Sequence, residues 1–444
     1  MMLKKNIIKI ITHYSTFIKS KTAKSYAIIL SGNILTAVFG MISSIIIARV
    51  LGPEIFGLFS IALAIQLVVL TIIDFGFTKG LVSLLANNDY KNVHADIFAS
   101  SFYFRMIFSS IILAIGMLTA ELISKKIFNS VELIRPLKIT YLIIFFAGIW
   151  GILQLGLQAS EKFKYFASSK VISAIAKLLL ILILYYISEI NLVTALLTFL
   201  LSFIFGALYS FKHIDNNYFS LNRFKFKTLN LVLKINKWIV YVNLFYILSG
   251  RISIFMLSTM TGAKNAGIYN AAFNIINGIS LFLESISTVL LPQISNIKSY
   301  AGFKKYLVRS FSISLPLIIC CGIGLLFAKP IILMIYGVNY FESSLVLIPL
   351  LVWFIISLLV EPVILLSYGL NRPDIVFYSN FIYVVLIIIL NLYFIPLYQA
   401  QGSAFSLIIS KFISSSINII WICIIIKKNF SNDTANVIIS KTGL

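Results

Sequence analysis

Among the ionisable side chains inside the long apolar runs of this 444-residue chain, three cations, Lys177, Arg251 and Lys411, and three anions, Asp74, Glu284 and Glu361, stand out. Arg49 and Lys79 lie nearer the ends of such runs. A charge at mid-bilayer costs roughly 2.5–3.5 kcal/mol even on a lenient insertion scale, so each of these groups needs a partner or a task. Two tasks fit. Arginine presents a planar fork to phosphate or carboxylate oxygens and lysine a point charge, so the cations suit an anionic passenger, with Arg251 the foremost candidate. The carboxylates of Asp74, Glu284 and Glu361 suit ion coupling, by carrying protons or holding sodium. Pairing between the two sets is the structural alternative.

Polar residues in the same runs form stripes. On a helix of 3.6 residues per turn, Asn270, Asn274, Asn277, Glu284 and Thr288 fall within about 80° of one another. Asn33, Thr36, Gly40 and Ser43 line another run, Asn243, Tyr246, Gly250 and Ser253 a third, and Ser403, Ser406, Ser410, Ser414 and Asn418 a fourth. Faces of this kind either join helices to one another or border water. The asparagines Asn243, Asn270, Asn274 and Asn277 are therefore cavity candidates beside the cations.

The elements that carry these residues are membrane spans. Hydrophobic residues make up 60% of the chain and charged ones 11%, less than half the charged share of a soluble domain, about 25%. The apolar stretches recur at lengths that cross a hydrocarbon layer of about 30 Å as helices. A barrel would alternate apolar and polar residues, whereas runs such as 178–183 are apolar on every side. The predicted architecture is an all-α integral membrane protein of about twelve spans, near 26–49, 57–86, 97–120, 138–159, 168–188, 191–211, 238–260, 266–292, 309–328, 343–368, 376–395 and 402–426. The formal charge of +22 would suggest nucleic acid in a soluble protein, but here Lys and Arg gather between the spans, where they orient helices. No nucleic-acid partner is expected.

That basic bias places both termini in the cytoplasm. The cluster Lys125, Lys126, Arg135 and Lys138 falls on the external side and opposes the assignment, and the basic segment from Lys212 to Lys237 outweighs it. Residues 1–25 form a basic cytoplasmic segment, read either as an amphipathic helix on the membrane surface or as an irregular tail. It has no small-residue cleavage site and is not a cleaved signal. The remaining division is 26–211, a six-helix bundle; 212–237, a basic linker; 238–426, a second six-helix bundle; and 427–444, a tail.

The two bundles are copies. At an offset of 210 residues, Asn33, Gly40 and Ser43 recur as Asn243, Gly250 and Ser253, Gly52 and Gly57 as Gly262 and Gly267, and Asp74 as Glu284. Asparagine, glycine and acidic residues are scarce in so apolar a chain, so their alignment at one offset indicates duplication. Six spans per copy put the repeat axis along the membrane normal, an arrangement of secondary transporters whose substrate lies between the repeats.

Other chemistries lack their residues. No glycine-rich loop ends in Lys-Ser or Lys-Thr to cradle ATP, and no nucleophile, base and acid grouping emerges. His13, His94 and His213 all lie outside the spans, which removes a histidine relay. Cys320, Cys321 and Cys423 sit in apolar runs without metal-type spacing. No cofactor or metal is expected.

At Ile47-Ala-Arg-Val-Leu-Gly-Pro-Glu-Ile-Phe-Gly-Leu-Phe-Ser-Ile-Ala-Leu-Ala64, followed by Asp74-Phe-Gly, the chain resembles polysaccharide transporters of the MOP exporter superfamily, and within them Wzx-type O-antigen flippases. The resemblance implies two bundles around a cationic cavity that opens alternately to either side. It further implies an undecaprenyl-pyrophosphate-linked oligosaccharide as substrate, membrane lipid as partner, polysaccharide polymerase machinery as a further candidate partner, and the bacterial inner membrane as location. Arg49 matches the Ala-Arg-x-Leu-Gly motif, whereas its repeat mate is Thr259. The expected function is transport without covalent chemistry. A multidrug extruder of the same superfamily and a membrane-embedded glycan transferase or ligase are the rivals.

Overall fold

A computed structural model describes residues 21–442 except 87–89, 91–92, 295–299 and 370–371; within its helices the side chains of Lys79, Glu284 and Thr288, among others, lie outside the described residues. The amphipathic reading of the first 20 residues also falls outside them. Everything described is helix or short connection, in the order α1 (Lys21–Asp74), α2 (Phe77–Ala86), α3 (His94–Leu122), α4 (Ile134–Ala159), α5 (Phe163–Tyr186), α6 (Leu192–Lys212), α7 (Phe226–Thr261), α8 (Ala263–Ile294), α9 (Tyr300–Leu326), α10 (Ala328–Tyr336), α11 (Phe341–Gly369) and α12 (Pro373–Thr442).

Ten of these stretches are long and apolar enough to span a membrane. Two of them, Ala27–Asp74 with 48 residues and Asp374–Ile425 with 52, would each run about 70–80 Å at 1.5 Å per residue, more than twice the hydrocarbon thickness. Each is broken in the middle. Gly52 (φ 71°, ψ 170°) interrupts α1 and Gln399 (φ 50°, ψ −127°) interrupts α12. Counted as pairs, the two raise ten spans to the expected twelve.

The break in α1 follows from its sequence. Gly52 takes a left-handed φ that a Cβ disfavours, and Pro53, which needs no hydrogen-bond acceptor, starts the next helix. Gly262, at φ 90°, repeats the break between α7 and α8. A second break ends α1 at Asp74-Phe-Gly, where Phe75 (φ 44°) and Gly76 (φ 71°) both turn left-handed. Asp74 caps the helix that follows: its Oδ2 accepts the Thr78 N–H at 3.3 Å and its Oδ1 the Thr78 hydroxyl at 2.9 Å. A phenylalanine at positive φ is strained. Its ring is held edge-on against Phe104 and Phe108, with centroids 5.2 and 4.7 Å away.

The chain divides into two compact units. The first comprises residues up to Val50 with Ile65–Asn243, the second Leu51–Ala64 with residues from Leu244 onward. Within the first, α4 is central, packed by α3, α5 and α6; within the second, α11 is central, packed by α8, α9 and α12. Burial repeats with the sequence. In the most apolar window of each, 61% of residues are buried in both central helices, against 17% in both α3 and α9. Exposed residues such as Leu118 on α3 and Ile319 on α9 give these outer helices the apolar faces that lipid requires.

Polar side chains knit each unit. In the first, Trp150 Nε1 donates to Ser169 Oγ at 2.9 Å, and Ser169 lies 2.7 Å from Ser210 Oγ, joining α4, α5 and α6. In the second, the stripe Ser403, Ser406, Ser410, Ser414 and Asn418 is buried throughout, and Asn418 Nδ2 donates to Ser379 Oγ at 3.1 Å. That stripe joins helices.

Candidate functional site

The second unit gathers two of the three cations. Arg251, half-buried on α7, lies within electrostatic reach of the Tyr246 and Tyr269 hydroxyls. Tyr269 is buried on α8 and interacts in turn with Tyr383 on α12. The Lys411 ammonium stands 5.9 Å from the Tyr383 ring centroid, within the range of a cation–π contact. Trp353 Nε1 on α11 fixes that ring by donating to its hydroxyl at 3.0 Å. Glu361, also on α11, lies within Coulomb range of Lys411 and accepts the Ser287 hydroxyl at 3.3 Å. Among the described residues, neither Arg251 nor Lys411 has a carboxylate within 4 Å. Lys411 thus lies over an aromatic ring and Arg251 within the field of two tyrosines, with Tyr269 and Tyr383 between them.

The first unit holds the third. Lys177 Nζ lies 4.4 Å from the Phe199 centroid and 3.9 Å from where a Cβ on Gly40 would stand. Two turns earlier on the same face of α5, Lys170 Nζ donates to Asn33 Oδ1 at 3.2 Å. Sequence reading did not single out Lys170, although its seven-residue spacing from Lys177 and that of Asn33 from Gly40 were both visible.

Asp74 is engaged differently. Arg105 Nη1 donates to its Oδ1 at 3.0 Å, with the two side chains 6% and 15% exposed. Arg105 is the other residue that sequence reading passed over. It lies inside the apolar run 97–120, and that placement was the signal. Of the remaining candidates, Arg49 is exposed just ahead of the Gly52 break, Asn243 and Asn277 are half-buried, and Asn274 is half-buried and engaged. Asn270 is buried and donates to Ser60 Oγ at 2.7 Å. Lys79 and Glu284 lie on α2 and α8, with side chains outside the described residues.

The family of the chain follows from comparison with known proteins. A family model described as polysaccharide biosynthesis protein matches residues 22–298, well over half of the sequence. The chain belongs to the polysaccharide biosynthesis protein family. A Shigella flexneri protein assigned as an O-antigen transporter is 26% identical over 313 residues, covering 67% of this chain and 72% of that one. A Staphylococcus aureus capsular polysaccharide biosynthesis protein, CapF, is 25% identical over 416 residues, covering 88% and 96%. Two solved structures share the fold: a multidrug-resistance MATE transporter of the MOP superfamily in an inward-facing conformation (TM-score 0.71, 15% identity, 89% of this chain and 96% of that one), and the lipid II flippase MurJ (TM-score 0.71, 16% identity, 89% and 87%). This polysaccharide biosynthesis family member is thus a multi-pass membrane protein of the MOP fold, and its resemblance to polysaccharide transporters holds.

Proposed function

We propose that this protein flips an undecaprenyl-pyrophosphate-linked oligosaccharide, an O-antigen or similar repeat unit, across the bacterial inner membrane by alternating access. The observation that carries the reading is the second unit's cation cluster. Arg251 in the field of Tyr269 and Lys411 over the Tyr383 ring, neither with a carboxylate within 4 Å among the described residues, support it. Leaving such charges uncompensated is costly, and a pyrophosphate or acidic sugar supplies the missing negative charge. Lys177 on α5 is the first unit's own candidate cation. The lipid tail stays in the bilayer while the head group crosses, no covalent bond changes, and both termini face the cytoplasm.

The coupling candidates separate by environment. Protonating Asp74 means breaking its pair with Arg105, whereas Glu361, among the described residues, has the Ser287 hydroxyl, Tyr306 and the field of Lys411 beside it. Glu361 is therefore the carboxylate better placed to exchange an ion during transport, with Glu284 on α8 as the repeat counterpart of Asp74.

Exchanging both Arg251 and Lys411 for glutamine tests the assignment. Each charge-assisted contact is worth about 1.5–3 kcal/mol, so the pair should lower export at least about hundred-fold. The expected outcome is loss of surface polysaccharide with unchanged amounts of protein in the membrane. Normal polymer in that double variant would refute the cationic site. Resistance to cationic dyes on overexpression, with polysaccharide unaffected, would favour a drug extruder, which the shared MATE fold permits.

A further inference from the structure

The linker between α6 and α7 is held in one shape by α3, all within the first unit. Asp96, buried at the start of α3, takes both Lys225 Nζ and Arg223 Nη1. One turn on, Ser100 Oγ meets both the N–H and the carbonyl of Lys225, at 2.9 and 3.2 Å, and Tyr103 donates its hydroxyl to the Phe219 carbonyl. The Phe219 ring packs on Phe98, Phe102 and Phe211, with centroids 6.1, 5.1 and 4.7 Å away.

That clamp decides which side chains are left outside. In extended backbone, alternate residues point to opposite sides. Arg223 and Lys225 turn to Asp96, so Phe224 and Phe226 turn away from it. Phe226 is 75% exposed, Leu221 71% and Phe224 38%. Single exposed apolar residues are ordinary on any surface. Three within six positions, on a backbone pinned so that they do not fold inward, make a patch that calls for an apolar partner.

Position and charge name that partner. α6 ends at Lys212 with Leu208 and Phe211 exposed on its last turns, the apolar face that lipid requires, and the Phe211 ring is the one that touches Phe219. Asp96 and Ser100, which hold the other end of the segment, lie in the first turns of α3, itself long and apolar enough to span a membrane. The segment is therefore level with the ends of two spans. Residues 212–227 carry Lys212, Arg223, Lys225 and Lys227 against Asp215, so cations stay in excess even with Asp96 included. Lys212 and Lys227 are exposed, and among the described residues neither has a carboxylate within 4 Å. Phenylalanine and leucine beside lysine are the composition of segments that lie in a membrane surface, and anionic lipid attracts each basic residue further.

We propose that residues 221–227 bind anionic phospholipid: Leu221, Phe224 and Phe226 enter the leaflet at which α6 ends, and Lys212 and Lys227 meet the phosphates there. The partner is the bilayer itself, not the exported head group.

The test uses the full-length protein with Cys320, Cys321 and Cys423 changed to Ala and one new cysteine carrying an environment-sensitive fluorophore. Phe226→Cys and, independently, Leu221→Cys report on the patch, and Asn216→Cys, exposed earlier in the linker, is the aqueous reference. Nanodiscs free of lipid-linked sugar contain phosphatidylcholine alone, or phosphatidylcholine and phosphatidylglycerol in about equal parts. With phosphatidylglycerol present, labels at 221 and 226 should emit to the blue of the reference and be quenched by nitroxide-bearing lipid. Each cation at an anionic surface contributes about five-fold to binding, so Lys212→Gln with Lys227→Gln should return both labels to their emission in phosphatidylcholine. Water-like emission at both positions in the anionic discs would overturn the proposal. Equal lipid-like emission in phosphatidylcholine alone would also sink it, because the phosphates would then have no part. Labels shielded in cells yet water-exposed in the anionic discs would replace the lipid surface with a protein partner.

Discussion

At the scale of single residues, the charges inside the spans have different environments. Asp74 and Arg105 neutralise each other at 3.0 Å, and removing one partner of a buried pair strands the other at a cost of about 3–5 kcal/mol. Asp74→Asn or Arg105→Gln alone should therefore lower the detergent melting temperature sharply. The double variant should recover part of the loss, measured on purified protein. Two single losses that simply add would show that the pair does not hold the first unit together. Sequence alone displayed Lys177, Arg251 and Lys411 as charges in apolar runs. It did not separate cations with a carboxylate from those without one, because the partners are remote along the chain. Asp74 and Arg105 are 31 residues apart, and Lys170 and Asn33 are 137 apart.

At the scale of elements, breaks and anchors organise the helices. The breaks at Gly52 and Gly262 were legible because glycine, with proline following in the first case, announces them. The break at Gln399 (φ 50°) was legible only as the interval between the spans near 376–395 and 402–426, because glutamine itself does not announce a positive φ. The basic linker 212–237 was visible as a charge run, but its anchor was hidden. Asp96, buried at the start of α3, receives Lys225 Nζ and Arg223 Nη1. Ser100 Oγ accepts the Lys225 N–H at 2.9 Å and lies 2.9 Å from Thr228 Oγ1. Asp96→Ala should free the linker without removing a span. Limited proteolysis between His213 and Lys225 should then speed up by about ten-fold, the equivalent of roughly 1.4 kcal/mol of lost anchoring. An unchanged cleavage rate would mean that the Ser100 contacts hold the linker by themselves.

At the scale of the whole molecule, duplication was readable because scarce residues recur at one offset, and the structure repeats it in its breaks and in the burial of its central helices. What the sequence could not display is that Leu51–Ala64 packs with the second unit. Exchange of a segment between copies leaves the pattern of spans unchanged. The fold alone does not choose between drug export and lipid-linked sugar export, because a MATE transporter and MurJ match the chain with the same TM-score of 0.71, whereas the family is that of polysaccharide biosynthesis proteins. In the proposed function the charges in the spans select the passenger. Reconstituting the purified protein in liposomes with a fluorescent undecaprenyl-pyrophosphate oligosaccharide, and following its access to an external quencher, measures the passenger directly. The account predicts transfer across the bilayer that is lost when Arg251 and Lys411 are both glutamine. Transfer at the protein-free rate by the unaltered chain, or equal transfer by the double variant, would contradict it.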